Sequence, residues 1–289
     1  MQDFIQLFLT GVTLGVIYAG IAVAYSTIYS ATGIINFGLG AQTMLAGYMA
    51  YVWFPGVPFA VRVLAAVVFG ALFSAAAWQF VYRFIFARHG ALPTVIASFS
   101  MSIALQEIVR IFSSADVRRA DSPFGEYVFR FDTVSITAQM VGVLAVGIVL
   151  FVVIAVAFQS RWALMAKAVF QDAMMAKAMG IRTQRVVMAI FLISGACAAI
   201  AGVLLAPLVS VSPFSGLTVA LIGFVGAALG GLENVEAAAA GGLVLGVAQS
   251  LFAGYASSDF TNAFVFGLLA VVLVIRPTGL LSRRRLVRV

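Results

Sequence analysis

The sequence predicts an all-α bundle of transmembrane helices, eight or nine spans with one further helix on the cytoplasmic side, and three observations carry that prediction. Of 289 residues, 63% are hydrophobic and only 9% charged, with a mean hydropathy of +1.12, so most of the chain partitions into lipid. The apolar residues fall into runs of about 20, the length a helix needs to cross the hydrocarbon. Inside hydrocarbon every backbone amide needs an internal partner, and the turns between these runs are too short for strand pairs, which leaves helices. The same composition excludes a soluble enzyme and a disordered chain, which needs the opposite balance.

In chain order the runs cover about 4–30, 34–54, 58–82, 91–113, 134–158, 187–210, 214–231, 236–256 and 260–276. The first follows Met1-Gln2-Asp3 directly, without the basic flank or small-residue cleavage site of a secretory signal, and is expected to stay as a span. The run 214–231 is short, Gly-rich and flanked by Pro213 and Gly230-Gly231, so it either crosses or re-enters as a half-helix. Residues 1–289 form a single membrane domain with a long basic loop at about 159–186 and a basic tail at 277–289.

Lys and Arg set the orientation. Arg83 and Arg88 occupy an expected loop at 83–90; Arg161, Lys167, Lys177, Arg182 and Arg185 face Asp172 alone in 159–186; Arg276, Arg283, Arg284, Arg285 and Arg288 end the chain. By the positive-inside rule these segments are cytoplasmic. The loop 114–133 balances Arg118, Arg119 and Arg130 with Asp116, Asp121, Glu126 and Asp132, and faces outward. Nine crossings then require an external N-terminus; eight would move it inside. The formal charge of +7 reflects topology and attraction to anionic lipid head groups, not nucleic-acid binding.

Chemistry-bearing residues are scarce. The single cysteine, Cys197, lies in an apolar run and the single histidine, His89, in a basic stretch, which removes disulfide frameworks and zinc or Cys/His catalytic sites. The first reads as a packing residue, the second as solvated. No G-x-x-x-x-G-K-[ST] loop occurs, so any ATP-driven role needs a partner. Apart from Arg62, and from Glu236 and Arg276 at the very ends of their runs, charge within the spans is confined to Glu107 and Arg110, one helical turn apart; they read as a local ion pair near the outer interface before a coupling-ion site. Small-xxx-small pairs at Gly11/Gly15, Gly226/Gly230 and Gly242/Gly246 allow close helix approach.

The loop 159–186 is longer than a connector needs and rich in Ala, Met and Lys, which favours helix. Asp172, Ala176 and Gly180 recur at i, i+4, placing an acid near a helix start and small residues on one face. Such a helix either docks into a groove on a soluble partner or rests on lipid. Gly33–Gly40 breaks helical propensity between two apolar runs, with three glycines and the amide of Asn36, and Gly230-Gly231-Leu232-Glu233-Asn234 stands at a matching place in the second half. The pair reads either as a pseudo-repeat with a path between its halves or as two tight turns.

Taken together, that loop, Gly33-Ile34-Ile35-Asn36-Phe37-Gly38-Leu39-Gly40, Gly230-Gly231-Leu232 before Gly241-Gly242, and Arg276-Pro277-Thr278-Gly279-Leu280 resemble the permease subunits of ATP-binding-cassette importers for branched-chain amino acids. The likeness runs from about residue 8 to 282 and is greatest to the shorter of the two permease types of that system. It implies a multi-pass subunit of a bacterial inner membrane, without cofactor or catalysis of its own, partnered by a second, similar permease, two cytosolic ATP-binding subunits and an extracytoplasmic solute-binding protein. It also implies ATPase coupling through the helix of Asp172, Ala176 and Gly180, with Arg161 and Lys167 nearby. The translocation path is expected at Asn36, Phe37, Gly38 and Gly40, and at Gly230 and Gly231. Leu39 and Ala41 depart from the histidine and acid usual in the family's Asn-Phe motif, which leaves the solute open between branched-chain amino acids and the urea, amides or aromatic acids served by relatives. The rival classes are an ion-coupled secondary transporter, for which only Glu107 could serve, and a membrane scaffold that recruits a soluble partner through 159–186.

Overall fold

The computed structural model describes residues 2–113, 117–118, 120–125, 127–131, 134–276 and 279–281; Asp116, Arg119, Glu126, Asp132, Pro277, Thr278 and the arginines of 282–289 lie outside them. Each of the nine apolar runs contains a helix. Helices α1 (Gln2–Thr32), α3 (Phe59–Ala77) with its continuation, α5 (Ala91–Ser113), α6 (Ala138–Phe158), α9 (Thr183–Val209) and α11 (Val235–Tyr255) include, among the described residues, the six stretches long and apolar enough to cross a bilayer. The others are shorter: α2 (Gly38–Tyr51) has 14 residues, α10 (Ser215–Gly230) 16 and α12 (Thr261–Ile275) 15. At ~1.5 Å per residue these span less than the ~30 Å of hydrocarbon.

Three stretches differ from the sequence expectation. The expected loop at 83–90 is helical: α3 passes through a π turn at Trp78–Tyr82 into α4 (Arg83–His89), which Gly90 ends at φ +83°. No Gly or Pro interrupts 71–89, so nothing stops the helix earlier, and His89 sits in its last turn. The outer loop carries an antiparallel hairpin, β1 (Val128–Phe131) with β2 (Val134–Thr137), in the register Val128 opposite Thr137. The segment 159–186 holds two short helices, α7 (Arg161–Gln171) and α8 (Ala173–Ala178).

Packing follows the glycines. All three small-xxx-small pairs meet in one place, where α1 crosses α10 and α11. A Cβ on Gly246 would stand 2.2 Å from the Gly15 nitrogen, one on Gly242 2.5 Å from Ala19, and one on Gly226 3.1 Å from Gly242. Backbone-to-backbone approach of this kind supplies the dispersion contacts that drive helix association in lipid, where hydrophobic burial does not. On the far side α9 is gripped by α2 and α3 through Gly202 against Thr43 and Gly195 against Gly70 and Ser74. Cys197 is buried in α9 as a packing residue.

The bundle has two chemically distinct ends. At one, the Gln6 side chain accepts from Ser135 N and donates to its carbonyl (3.0 and 3.1 Å), and Arg118 pairs through its backbone with Val211. At the other lie α7, α8 and the Gly230–Asn234 turn. The described part of the 114–133 loop and the basic segment 159–186 therefore fall at opposite ends.

Candidate functional site

The interruption after α1 is a break in helix geometry. Gly33, at φ +68°, closes α1 by donating its N–H to Tyr29 O (2.8 Å), and the chain then runs non-helically through Ile34–Asn36. Its backbone groups are met by side chains: Asn36 Oδ1 accepts from Gly38 N (3.0 Å), and Ser98 Oγ of α5 accepts from Phe37 N (3.0 Å) while donating to Val95 O (2.7 Å). Irregular backbone inside a membrane protein is tolerated only with such partners. The Phe37 ring lies 6.4 Å from Tyr25, 6.1 Å from Phe99 and 5.8 Å from Phe224, so residues of α1, α5 and α10 converge on the break.

Glycine is demanded here by space. A Cβ on Gly40 would meet Gly216 O at 2.3 Å and the Ala220 methyl at 2.4 Å; on Gly38 it would stand 3.0 Å from Asn36 Oδ1 and 3.2 Å from the Tyr82 hydroxyl. The structure thus brings Asn36, Phe37, Gly38 and Gly40 together with Tyr82 of the π turn and with α5.

Helix α5 is inside-out relative to a soluble helix. Its buried face carries Thr94, Ser98, Ser102 and Ser113 together with Leu105 and Val109, whereas Leu92, Ile96, Phe99, Ile103, Ile108, Ile111 and Phe112 are exposed. The apolar face suits lipid and the hydroxyl face turns toward α2 and α10. Glu107 and Arg110 lie on the exposed side as an i, i+3 pair at 2.7 Å, both about half exposed, where a solvated pair contributes little.

Gly230 and Gly231 occupy a different setting. A Cβ on Gly230 would overlap Ala237 O at 1.9 Å, and Gly231, at φ +126°, lies against Gly279. Leu280 N donates to Leu229 O (2.7 Å), Leu281 N to Gly230 O (3.2 Å), and Ser26 Oγ to Leu232 O (2.9 Å). Two motifs distant in sequence, Gly230-Gly231-Leu232 and the Gly279-Leu280 segment, therefore form one latch. These glycines touch α11 and the tail, not Asn36.

The residues singled out at i, i+4 in the basic loop shape α8. Asp172 adopts an extended conformation between α7 and α8, and its Oδ1 accepts from Met174 N (2.8 Å) and Met175 N (2.9 Å) as an N-cap. Gly180, at φ +83°, ends the helix, with Gly180 N donating to Lys177 O (3.0 Å) and Ile181 N to Ala176 O (3.0 Å), a Schellman arrangement. Ala176, 2% exposed, packs into the core. What projects is a set of methionines that spacing did not single out: Met174 is 82%, Met175 62% and Met179 79% exposed. Arg161 and Lys167 lie exposed on α7, and Lys177, Arg182 and Arg185 stand exposed around α8.

Comparison with known proteins fits this arrangement. The family profile described as "Branched-chain amino acid transport system / permease component" matches residues 7–274. Among curated relatives, the high-affinity branched-chain amino acid transport system permease protein LivH of Salmonella typhimurium is 32% identical over 97% of this chain and 96% of its own, as is LivH of Escherichia coli K12. BraD of Pseudomonas aeruginosa, with the same description, is 29% identical over 98% and 97%. Among solved structures, PsaBC from Streptococcus pneumoniae in complex with Fab superposes with a TM-score of 0.50 at 14% identity, over 96% of each chain, a likeness of fold alone.

Proposed function

Because this chain belongs to the family of permease components of branched-chain amino acid transport systems, we propose that it is one of two membrane subunits of an ATP-binding-cassette importer for branched-chain or related amino acids. It is a multi-pass membrane protein of the bacterial inner-membrane type and a transport component, not an enzyme. The three shorter helices complete nine passes with the N-terminus outside and the basic end in the cytoplasm. A second, homologous permease completes the membrane part, an extracytoplasmic solute-binding protein delivers the solute, and two cytosolic subunits hydrolyse ATP.

The observation that carries ATPase coupling is α8: a helix of 6 residues, capped at both ends, presenting Met174, Met175 and Met179 from the basic end. Methionine is apolar and adaptable, suited to a groove that changes shape during a cycle. Asp172 and Gly180 fix the helix ends, Ala176 anchors it to the core, and Arg161, Lys167 and Lys177 set a cationic rim. ATP-driven closure of the ATPases would move the docked helix as a rigid body and shift the bundle between outward-open and inward-open states. The path for solute runs past the break at Asn36–Gly40; Gly230 and Gly231 serve it indirectly by holding α10 in place.

The test is the double substitution Met174→Asp with Met175→Asp in the tagged protein purified from its native membrane. A buried anchor is worth about 2 kcal/mol or more, ~30-fold in affinity, so ATPase recovery should fall by at least that factor with membrane insertion unchanged. Full ATPase recovery would remove α8 from the coupling role.

A further inference from the structure

The break at Asn36–Gly40 is surrounded by buried polar atoms that no protein group satisfies. Among the described residues, Asn36 Nδ2, both amide atoms of Gln42, Ser74 Oγ, Trp78 Nε1, Tyr82 OH and Ser194 Oγ are buried without a hydrogen-bond partner. Asn36 is 1% exposed, Gln42 2%, Tyr82 1% and Ser74 fully buried. Buried polar groups in native proteins are nearly always paired, because an unpaired one costs the full desolvation penalty, so such a set demands a role.

The geometry brings these groups together. Tyr82 OH and Asn36 Oδ1 both lie within 3.2 Å of the point where Gly38 would carry a Cβ, so the Tyr82 hydroxyl is aimed at the first turn of α2. Ser74, Trp78 and Tyr82 recur at i, i+4 on α3 and its π turn, a feature that often marks functional sites. Helices α2 and α3 run antiparallel, with Ala46 and Ala50 clustered on Ala66 at one end and Gly38 beside Tyr82 at the other. Gln42, one turn after Gly38, lies on the same face of α2. Ser194 adjoins Gly195, whose Cβ position lies 2.5 Å from Ser74 Cβ.

We propose that this cluster, Asn36, Gln42, Ser74 and Tyr82 at the N-terminus of α2, binds the zwitterionic head of an amino acid during translocation, a proposal that rests on the permease reading above. Two features select a zwitterion. The unpartnered groups around the break belong to Asn36, Gln42, Ser74, Trp78, Tyr82 and Ser194, none of them charged, so a net ion would lack the counter-charge that burial requires. A helix N-terminus carries about half a positive charge, which favours a carboxylate; the first N–H groups of α2 are taken up by Asn36 and Ser98, so the donors left open are Asn36 Nδ2 and the neighbouring hydroxyls. The amides, hydroxyls and indole supply further donors to the carboxylate, and Gln42 Oε1, Ser74 Oγ and Tyr82 OH supply acceptors for the ammonium. The head common to all amino acids is thereby read here, leaving side-chain choice to other parts of the system.

The experiment uses the whole importer, purified through the tagged permease with its retained partners and reconstituted in proteoliposomes with its binding protein. Gln42→Leu removes two unpartnered atoms from an apolar setting, so the complex should melt at the same or a higher temperature, yet leucine uptake should fall about tenfold or more, the scale expected when a site loses a hydrogen-bonding side chain. Tyr82→Phe, which deletes one oxygen without changing shape, should lower uptake in the same direction and covers the case in which the first variant does not assemble. Unchanged uptake in the assembled variants overturns the site. Tryptophan emission, assigned to Trp78 by the Trp78→Phe control, should shift on adding L-leucine without binding protein, and not on adding leucinamide, 4-methylpentanoate or acetamide. A shift with all four, or with none, overturns the zwitterion assignment. Wild-type liposomes that hydrolyse ATP but take up no amino acid would instead overturn the permease reading of the substrate, a separate result.

Discussion

The chain interrupts its helices twice with glycine-rich segments, at Gly33–Gly40 and at Gly230–Asn234, and the two have opposite local economies of hydrogen bonding. At Gly230–Asn234 the groups freed by the turn find protein partners: Gly231 N bonds Ala227 O (2.8 Å), the tail supplies Leu280 and Leu281 N–H groups, and Asn234 Oδ1 caps α11 by accepting from Glu236 N (3.0 Å) and Ala237 N (3.4 Å). At Gly33–Gly40 the backbone is equally well met, but the side chains around it keep unused donors and acceptors. A region whose freed groups meet fixed protein partners holds the bundle in one arrangement. A region with groups left over is built to meet something that passes.

The sharpest way to break this comparison is to fill the latch. Gly230→Leu places a side chain where a Cβ already overlaps Ala237 O at 1.9 Å, and overpacking costs ~1–3 kcal/mol or more where backbone blocks relaxation. Folded protein extracted from membranes, followed by fluorescence-detected size exclusion, should fall to a small fraction of wild type. Normal yield would show that the tail and α11 can separate from α10 without loss of the fold.

A paired substitution sharpens the contrast at smaller amplitude. Asn36→Ser and Asn234→Ser each retain a side-chain oxygen that can accept from the helix start, and Ser caps about as well as Asn. Asn234→Ser should leave uptake within about twofold and shift Tm by no more than a few degrees, as caps worth ~1 kcal/mol do. Asn36→Ser loses the Nδ2 donor and should depress leucine uptake while Tm stays close to wild type. Equal losses of uptake at the two positions would erase the distinction between latch and site.

The smallest effect is expected at Glu107. The Glu107–Arg110 pair is half exposed, and such i, i+3 pairs contribute ~0.2–0.5 kcal/mol, so Glu107→Gln should leave uptake unchanged with or without an imposed proton gradient. Gradient-dependent loss would favour an ion-coupled transporter.

Much of this contrast is legible in the sequence, for physical reasons. Long apolar runs fix where helices lie, Lys and Arg separate the two ends, and Gly11, Gly15, Gly226, Gly230, Gly242 and Gly246 announce close contacts, although which helices meet depends on the fold. Asn36 and Phe37 stand out because a broken run leaves them conspicuous. Ser74, Ser98 and Ser102 do not, since a serine can bond its own helix and turn to either face. The π turn leaves no mark in composition, so Tyr82 reads as the end of a span. On α8, spacing points to Asp172, Ala176 and Gly180, which shape the helix, whereas exposure points to Met174, Met175 and Met179; a six-residue helix is too short for periodicity to separate its inner from its outer face.

The latch also has a consequence for biogenesis. The carbonyls of Leu229 and Gly230 are completed by Leu280 and Leu281, a segment translated only after α11 and α12. Until then α10, short and ending in open carbonyls, is poorly suited to lie alone in lipid. The last three helices are therefore expected to settle as a unit, and a chain truncated before Gly279 to insert its early helices yet yield little folded protein.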